Sequence, residues 1–572
     1  MGDTFYSSAG FMILGDEMKK ILKGCTTLFL SLATMLSGQA MALDKSDWAR
    51  FLEQATFGPT PSLIDGWQTS TPEAWLLAQR ALPGTRYPAL PVFPASKNTG
   101  CPPSSSNTVE CRRDNYTMYP LQVEFFKNAI YAQDQLRLRM AYTLSQIFVV
   151  SGKEIDQPSS MVPFLNLLVD GSLGNFRDLL EKITLNPAMG DYLDMVNNDK
   201  PSVDGTIQPN ENYAREILQL FSIGLYQLNV DGTVRIGANG LPIPAYDQTA
   251  IEGLAHTFTG WTYATLPGAK PKAHNPVNYL QPIEVYRING IDANHDKGNK
   301  HLLSYSGAHN EWVPAGQTAE MDLTQALDNI FYHPNVGPFI GRQLIQYLVT
   351  SNPSPDYVSR VAGAFNDNGN GVRGDLYSTL RAVLLDPEAR GSNRKNTDYG
   401  RLREPALFVP AILRILEGSS DGILTDQATD MGQDIFNAPS VFGHYPRPFQ
   451  IRGSSLQGPE FEIESSKTTI IRDNFVNTLV YSSIVSKAPG TGTKIEWTRL
   501  NPLAANLSTD PLLDYLNQNL LHGTMPPEMK STISGAISCS VNAKKTACTN
   551  SKERAQKALY LVATSALYQI QR

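Results

Sequence analysis

Beyond residue 42 the sequence holds no apolar run of roughly 18 residues, so nothing there is long enough to span a bilayer as a helix. It also lacks a basic run or an arginine-rich stripe. Its 48 Lys+Arg stand against 54 Asp+Glu, a formal net charge of −6, and nucleic acid is therefore not an expected partner. Gly-x-Ser-x-Gly, the phosphate loop Gly-x-x-x-x-Gly-Lys-Ser/Thr and His-Glu-x-x-His are all absent, which removes three common signatures of hydrolases, nucleotide binders and zinc proteases. Strand-like alternation is scarce, with weak candidates in 228–245 and 283–304. Cysteine is scarce too, five in 572 residues.

What is present begins with a leader. Residues 1–17 read as an upstream extension. From Met18 a secretory pattern follows: Lys19, Lys20 and Lys23, the apolar run Cys25–Leu36, then Ala40-Met41-Ala42 as a small-x-small cleavage site. The mature chain then starts near Leu43 in the periplasm or outside the cell. A membrane anchor is the alternative, which the short apolar run disfavours. Four cysteines remain as two local pairs, Cys101/Cys111 and Cys539/Cys548, in Ser/Thr/Asn-rich loops. In an exported chain they read as disulfides, each stabilising by about 2–3 kcal/mol. A zinc site would want C-x-x-C or a neighbouring histidine, and neither pair has one.

Helical periodicity dominates the mature chain. Segments at 44–58, 135–150, 176–185, 189–195, 247–258, 322–332, 336–349, 355–365, 376–385, 403–416, 470–486, 511–521 and 551–571 carry it. Asp247, Asp322, Ser354 and Asp375 read as caps, and Pro355 stands at a first helical position. The predicted fold is mainly α: one large multi-helix domain over 43–572, with little β. If there are two lobes, their boundary falls within 265–320. Long irregular loops are expected at 83–115, 196–209, 226–246, 262–318 and 436–468, and loops of that length tend to be functional.

One segment, 209–224, stands out. Asn210 can cap it, Glu211 puts negative charge on the first turn, and Gly224 can end it. On a helical wheel Asn212, Arg215, Glu216, Gln219 and Ser222 share a narrow strip, while Tyr213, Ala214, Ile217, Leu220 and Phe221 fill most of the rest. The pattern predicts a mostly buried helix carrying an ionisable seam, and buried charge must be paired or line a cleft.

Several stretches are similar to a known family. They include Ala49-Arg50-Phe51-Leu52 with Gln54-Ala55-Thr56-Phe57-Gly58-Pro59, and Leu144-Ser145-Gln146-Ile147-Phe148-Val149-Val150-Ser151. Asn210-Glu211-Asn212-Tyr213-Ala214-Arg215-Glu216, Thr259-Gly260-Trp261 and His295-Asp296 with Gly298 and Lys300 belong with them. So do His333-Pro334, Leu402-Arg403-Glu404-Pro405 and Ala438-Pro439-Ser440-Val441-Phe442. Together, from about residue 48 to about 565, they resemble the bacterial domain of unknown function 1800 family. The resemblance implies a large exported α-helical protein and brings no activity with it. It also implies a partner class, the exported domain of unknown function 1501 family, which resembles phosphatases and sulfatases and whose genes often lie beside this one's relatives. His256 departs from the family pattern, which weakens it as an obligatory ligand.

Chemistry-bearing residues have two readings each. Glu216 reads as a general acid or base with Arg215 holding an anion or carbonyl, or else Arg215 simply pairs with Glu211 four residues earlier. His295 and Asp296 can supply acid–base groups and Lys300 an anion contact, or the loop is a latch closed by an Asx turn and a salt bridge. Asn212, Arg215, Lys300 and Trp261 join the substrate-binding set, with Glu216, His295 and Asp296 as its catalytic members. Glu252 and His256, four apart, have ligand spacing or are a surface pair. His333-Pro334 reads as a helix terminator. Residues 366–371 resemble half a calcium loop, but the twelfth position is Tyr377 and not a bidentate Glu. Glu460, Glu462 and Glu464 alternate as on a strand edge. The expected function is an envelope or extracellular hydrolase or transferase, with a non-catalytic accessory of a phosphatase/sulfatase-like protein as the alternative.

Overall fold

The computed structural model describes residues 43–486, 490–539 and 548–572. The predicted extension and signal peptide lie outside them. The fold is mainly α, and strands occur among the described residues as five antiparallel pairs of two residues each.

Local chemistry starts the helices where expected. Asp247, Ser354 and Asp375 accept the backbone N–H groups of Ala250, Tyr357 and Ser378, satisfying donors that the first helical turn leaves open. Asp322 is the exception. Thr318 caps the helix Ala319–Phe331, and Asp322 lies in its first turn, fully buried against a loop. Two long helices escaped the periodicity reading, Tyr119–Tyr131 and Pro158–Gly171. The second is buried on nearly every face, so it has no polar stripe to mark its period.

Buried apolar side chains form one connected core running from Trp48 to Tyr568. At its centre, Val336–Leu348 packs against Gln135–Ile147, Pro355–Asn366 and Leu376–Leu385. The neighbouring helix comes close at Gly341, where a Cβ would lie 3.1 Å from the Val361 side chain. The C-terminal pair Ile570–Gln571 lies antiparallel to Arg401–Leu402, and the Arg403 amide donates to the Gln569 carbonyl at 2.9 Å. This tie holds the buried charges at 401–404 in place.

The predicted loops are more ordered than their composition suggests. Residues 83–115 contain the helices Lys97–Gly100 and Thr108–Asn115, joined by the Cys101–Cys111 disulfide with Cα atoms 5.8 Å apart. Cys539 and Cys548 form the second disulfide, at 5.4 Å. Residues 225–245 fold into two nested hairpins, with bridges Tyr226–Pro244, Leu228–Val234 and Ile236–Pro242. Asn335 clamps this flap to the start of Val336–Leu348: its amide donates to the carbonyls of Ile223 and Tyr226, and its oxygen accepts from the Leu228 amide. No helix among the described residues is long and apolar enough to cross a membrane.

Candidate functional site

The helix singled out in the sequence is short, Asn212–Gln219, and its seam is only partly enclosed. Arg215 is half-exposed and donates to Glu211 at 2.9 Å, and Glu211 also accepts from Gln248. The expected internal Arg–Glu seam is therefore corrected to a surface network at Arg215 and a buried carboxyl at Glu216 alone. Asn212 faces Asp194. Glu216 is 9% exposed, its Oε2 has no hydrogen-bond partner, and burial raises its pKa, partly offset by Arg215. Burial, then the Glu216 charge, pushes the nearby Tyr246 phenol up to about 12.

His295, Asp296 and Lys300 divide between two places. His295 is buried, with Nε2 3.0 Å from Asp322 Oδ2, and Lys300 Nζ is 2.7 Å from the same oxygen. Lys300 also donates to the carbonyls of Asp296 and Gly298. The latch reading fits this sealed knot, and Lys300 is not offered to an outside anion. The Asp296 carboxylate faces His256 instead, and that hydrogen bond, against burial, holds it down at about 2. Trp261, expected to meet substrate, is a core residue, 4% exposed, in a strand paired with Val285. His333 accepts the Asn335 amide, and burial followed by the Arg373 charge lowers it to about 4.

At 366–371 the Asp367 and Asn368 side-chain oxygens accept the loop's own amides, from Gly369 and Gly371 and from Asn370 and Val372. They are occupied as Asx turns use them. No group of three or more His, Cys, Asp or Glu among the described residues could hold a metal ion. The three glutamates expected on one strand edge instead belong to or flank the 3-10 turn Pro459–Ile463. There Glu460 is fully buried and Glu462 exposed, because the turn sends neighbours in different directions.

A concave site lies next to the singled-out helix, with Gln219 but not Glu216 in its lining. A cavity of about 400 Å³ runs between the end of that helix, the 225–245 flap, Val336–Leu348 and residues 441–448. Its apolar side carries Ile147, Leu220, Ile223, Leu228, Phe339 and Val441. Leu225, Tyr226, Val234 and Phe442 also line it and are exposed, which places the mouth there. Its polar wall comes from one turn of Val336–Leu348, with Arg342, Gln343 and Gln346, together with Arg447 and Gln219. Gln343 is 8% exposed, and its Nε2 has no partner. Arg447 packs its guanidinium 3.6 Å from the Tyr347 ring centroid, and none of its three nitrogens makes a hydrogen bond.

Under this wall lies a buried charge network. Glu404 accepts from the hydroxyls of Tyr142 at 2.8 Å and Tyr445 at 2.5 Å, from Gln433 at 2.6 Å and from Arg401 at 3.1 Å. Burial alone would raise the Glu404 carboxyl. Arg401, Tyr445, Arg139 and Gln433 outweigh it and bring it to about 2. Arg401 bridges on to Glu460 at 2.8 Å, and both Arg401 and Arg139 donate to the Tyr347 carbonyl at 2.6 Å. Burial, reinforced by Arg401, lowers Arg139 to about 10.

With the geometry in place, comparison with known proteins adds one finding. The family model described as "Protein of unknown function (DUF1800)" matches residues 50–570. The chain belongs to this family. No curated protein and no solved structure matches it. In this DUF1800 chain, the stretches that resemble the family supply Gln146, Ile147, Val441 and Phe442 to the cavity and Glu404 to its floor. The polar wall was missed in the sequence, although Arg342, Gln343 and Gln346 stand in one turn of an otherwise apolar helix, the same contrast that marked Glu216. Arg447 carries no such signal, because it lies in irregular chain.

Proposed function

We propose that this protein is an exported, single-domain ligand-binding protein whose cavity beneath the 225–245 flap holds a mainly apolar molecule. The observation that carries this is the cavity itself: about 400 Å³, apolar on one side, with a small set of polar groups on the other. That is the usual make-up of a small-molecule site. The reading is tested by displacement of a cavity-bound fluorescent apolar probe. Leu220→Trp, which fills the cavity, should abolish probe binding while leaving the unfolding midpoint near that of the parent; equal binding by both proteins ends the proposal. Binding without chemistry also suits an accessory of an exported DUF1501-type protein that delivers or receives the ligand.

Acid–base chemistry at Glu216 on an envelope substrate is a second reading. It is supported by the unpartnered Glu216 Oε2 and the equally unpartnered Tyr246 hydroxyl. Turnover of an envelope substrate that Glu216→Gln leaves intact would dispose of it.

A further inference from the structure

The charges on the cavity wall specify more than an apolar ligand. Two guanidiniums line the cavity, Arg342 and Arg447. Arg447 has a carboxylate nearby, Glu460 at 3.7 Å, which it shares with Arg401 at 2.8 Å. Arg342 has none. Its contacts are the Gly232 carbonyl at 3.5 Å and the Gln457 amide oxygen at 3.4 Å, both long and both neutral. Among the described residues it forms no ion pair, and burial alone accounts for its lowered pKa. A half-buried guanidinium without a counter-charge is costly unless something supplies one. The same turn of helix also places Gln343, nine-tenths buried and with its amide nitrogen unpartnered, on the cavity lining. A guanidinium with no carboxylate partner and a spare N–H donor together suit a carboxylate, which a guanidinium grips through two parallel hydrogen bonds.

We propose that the ligand is a long-chain monocarboxylate, its carboxylate on Arg342 with Gln343 as a second donor and its chain along Ile147, Leu220, Ile223 and Phe339. This rests on the cavity being a ligand site. The mouth favours a chain over a compact ring, because Leu225, Tyr226, Val234 and Phe442 give the end of a longer chain apolar surface to lie on as it leaves.

The test compares dodecanoate, dodecanol and methyl dodecanoate by calorimetry on the purified protein, below their aggregation limits. Dodecanoate should bind about tenfold to a hundredfold more tightly than either neutral analogue, the range expected for hydrogen bonds to a charged group. Arg342→Met should remove that preference while dodecanol still binds, which also shows that the variant is folded. Equal binding of acid, alcohol and ester overturns the carboxylate inference and leaves the apolar cavity standing. Binding of none of the three overturns both. Binding of an apolar peptide with a free C-terminus, where the amphiphiles fail, reassigns the site and overturns the proposal as well.

Discussion

Replacing Glu404 with Gln tests the charge network on which the cavity wall rests. The carboxylate is fully buried and its pKa is brought from 4.5 to about 2, a depression that corresponds to about 3 kcal/mol of folding stability. A depressed carboxyl binds fewer protons in the folded chain than in the unfolded one. Its contribution is therefore complete above the unfolded value near pH 4.5 and drains away as pH falls toward 2. In Glu404→Gln the neutral side chain still fits, but Arg401 loses one of its two carboxylates and the Gln433 amide meets another amide. Breaking a buried pair in this way costs about 3–5 kcal/mol. The expected result is a variant less stable by that amount at pH 7, with the gap to the parent narrowing as the pH is lowered from 5 toward 3. Urea unfolding followed by tryptophan fluorescence reads both quantities. A cost under about 1 kcal/mol at pH 7, or a gap that stays constant down to pH 3, would refute the assigned role of Glu404. Because Tyr445 donates to Glu404 and flanks Arg447, probe binding in the cavity should weaken in the same variant.

Lys300→Met should cost about 3–5 kcal/mol, because Asp322 would stay buried beside a histidine alone, and adding Asp322→Asn should recover part of the loss; no recovery in the double variant argues against the pair. Glu216→Gln has the opposite sign. Burial raises the Glu216 pKa, so the ionised carboxyl penalises folding above its folded pKa; the variant should be more stable than the parent at pH 7 and lose that advantage below pH 4.5. Removing the Cys101–Cys111 link should cost about 3 kcal/mol for a loop of this length, and mass spectrometry before and after reduction should count two disulfides. Gly224 has φ of 78°, and a Cβ there would come within 2.8 Å of the Phe339 ring, so Gly224→Ala should destabilise by at least about 1–2 kcal/mol and perturb the cavity.

Much of the helical framework is legible in the chain because its causes are local. Asp247, Ser354 and Asp375 act on amides three residues away, and Pro355 presets a single φ, so reading along the chain finds them. Local reading misplaced Asp322 for the same reason: it looks like a cap, and only the approach of residues 295–300 gives it buried partners. Arg215 and Glu216 show the limit from the other side. The wheel put both on one seam, but a helix face is buried or open according to what packs on it, and here Glu211 and Gln248 hold Arg215 at the surface.

From the chain alone followed a mainly α fold, two local cysteine pairs and membership of one family, all consequences of spacing between near neighbours or of motifs in order. Where the cavity lies was decided only in three dimensions. Its wall draws on residues near 146, 220, 342 and 447, brought together by packing across more than half of the chain. Whether a guanidinium is paired or waiting depends on which distant carboxylate arrives. Glu460 reached Arg401 and lies 3.7 Å from Arg447, and none reached Arg342.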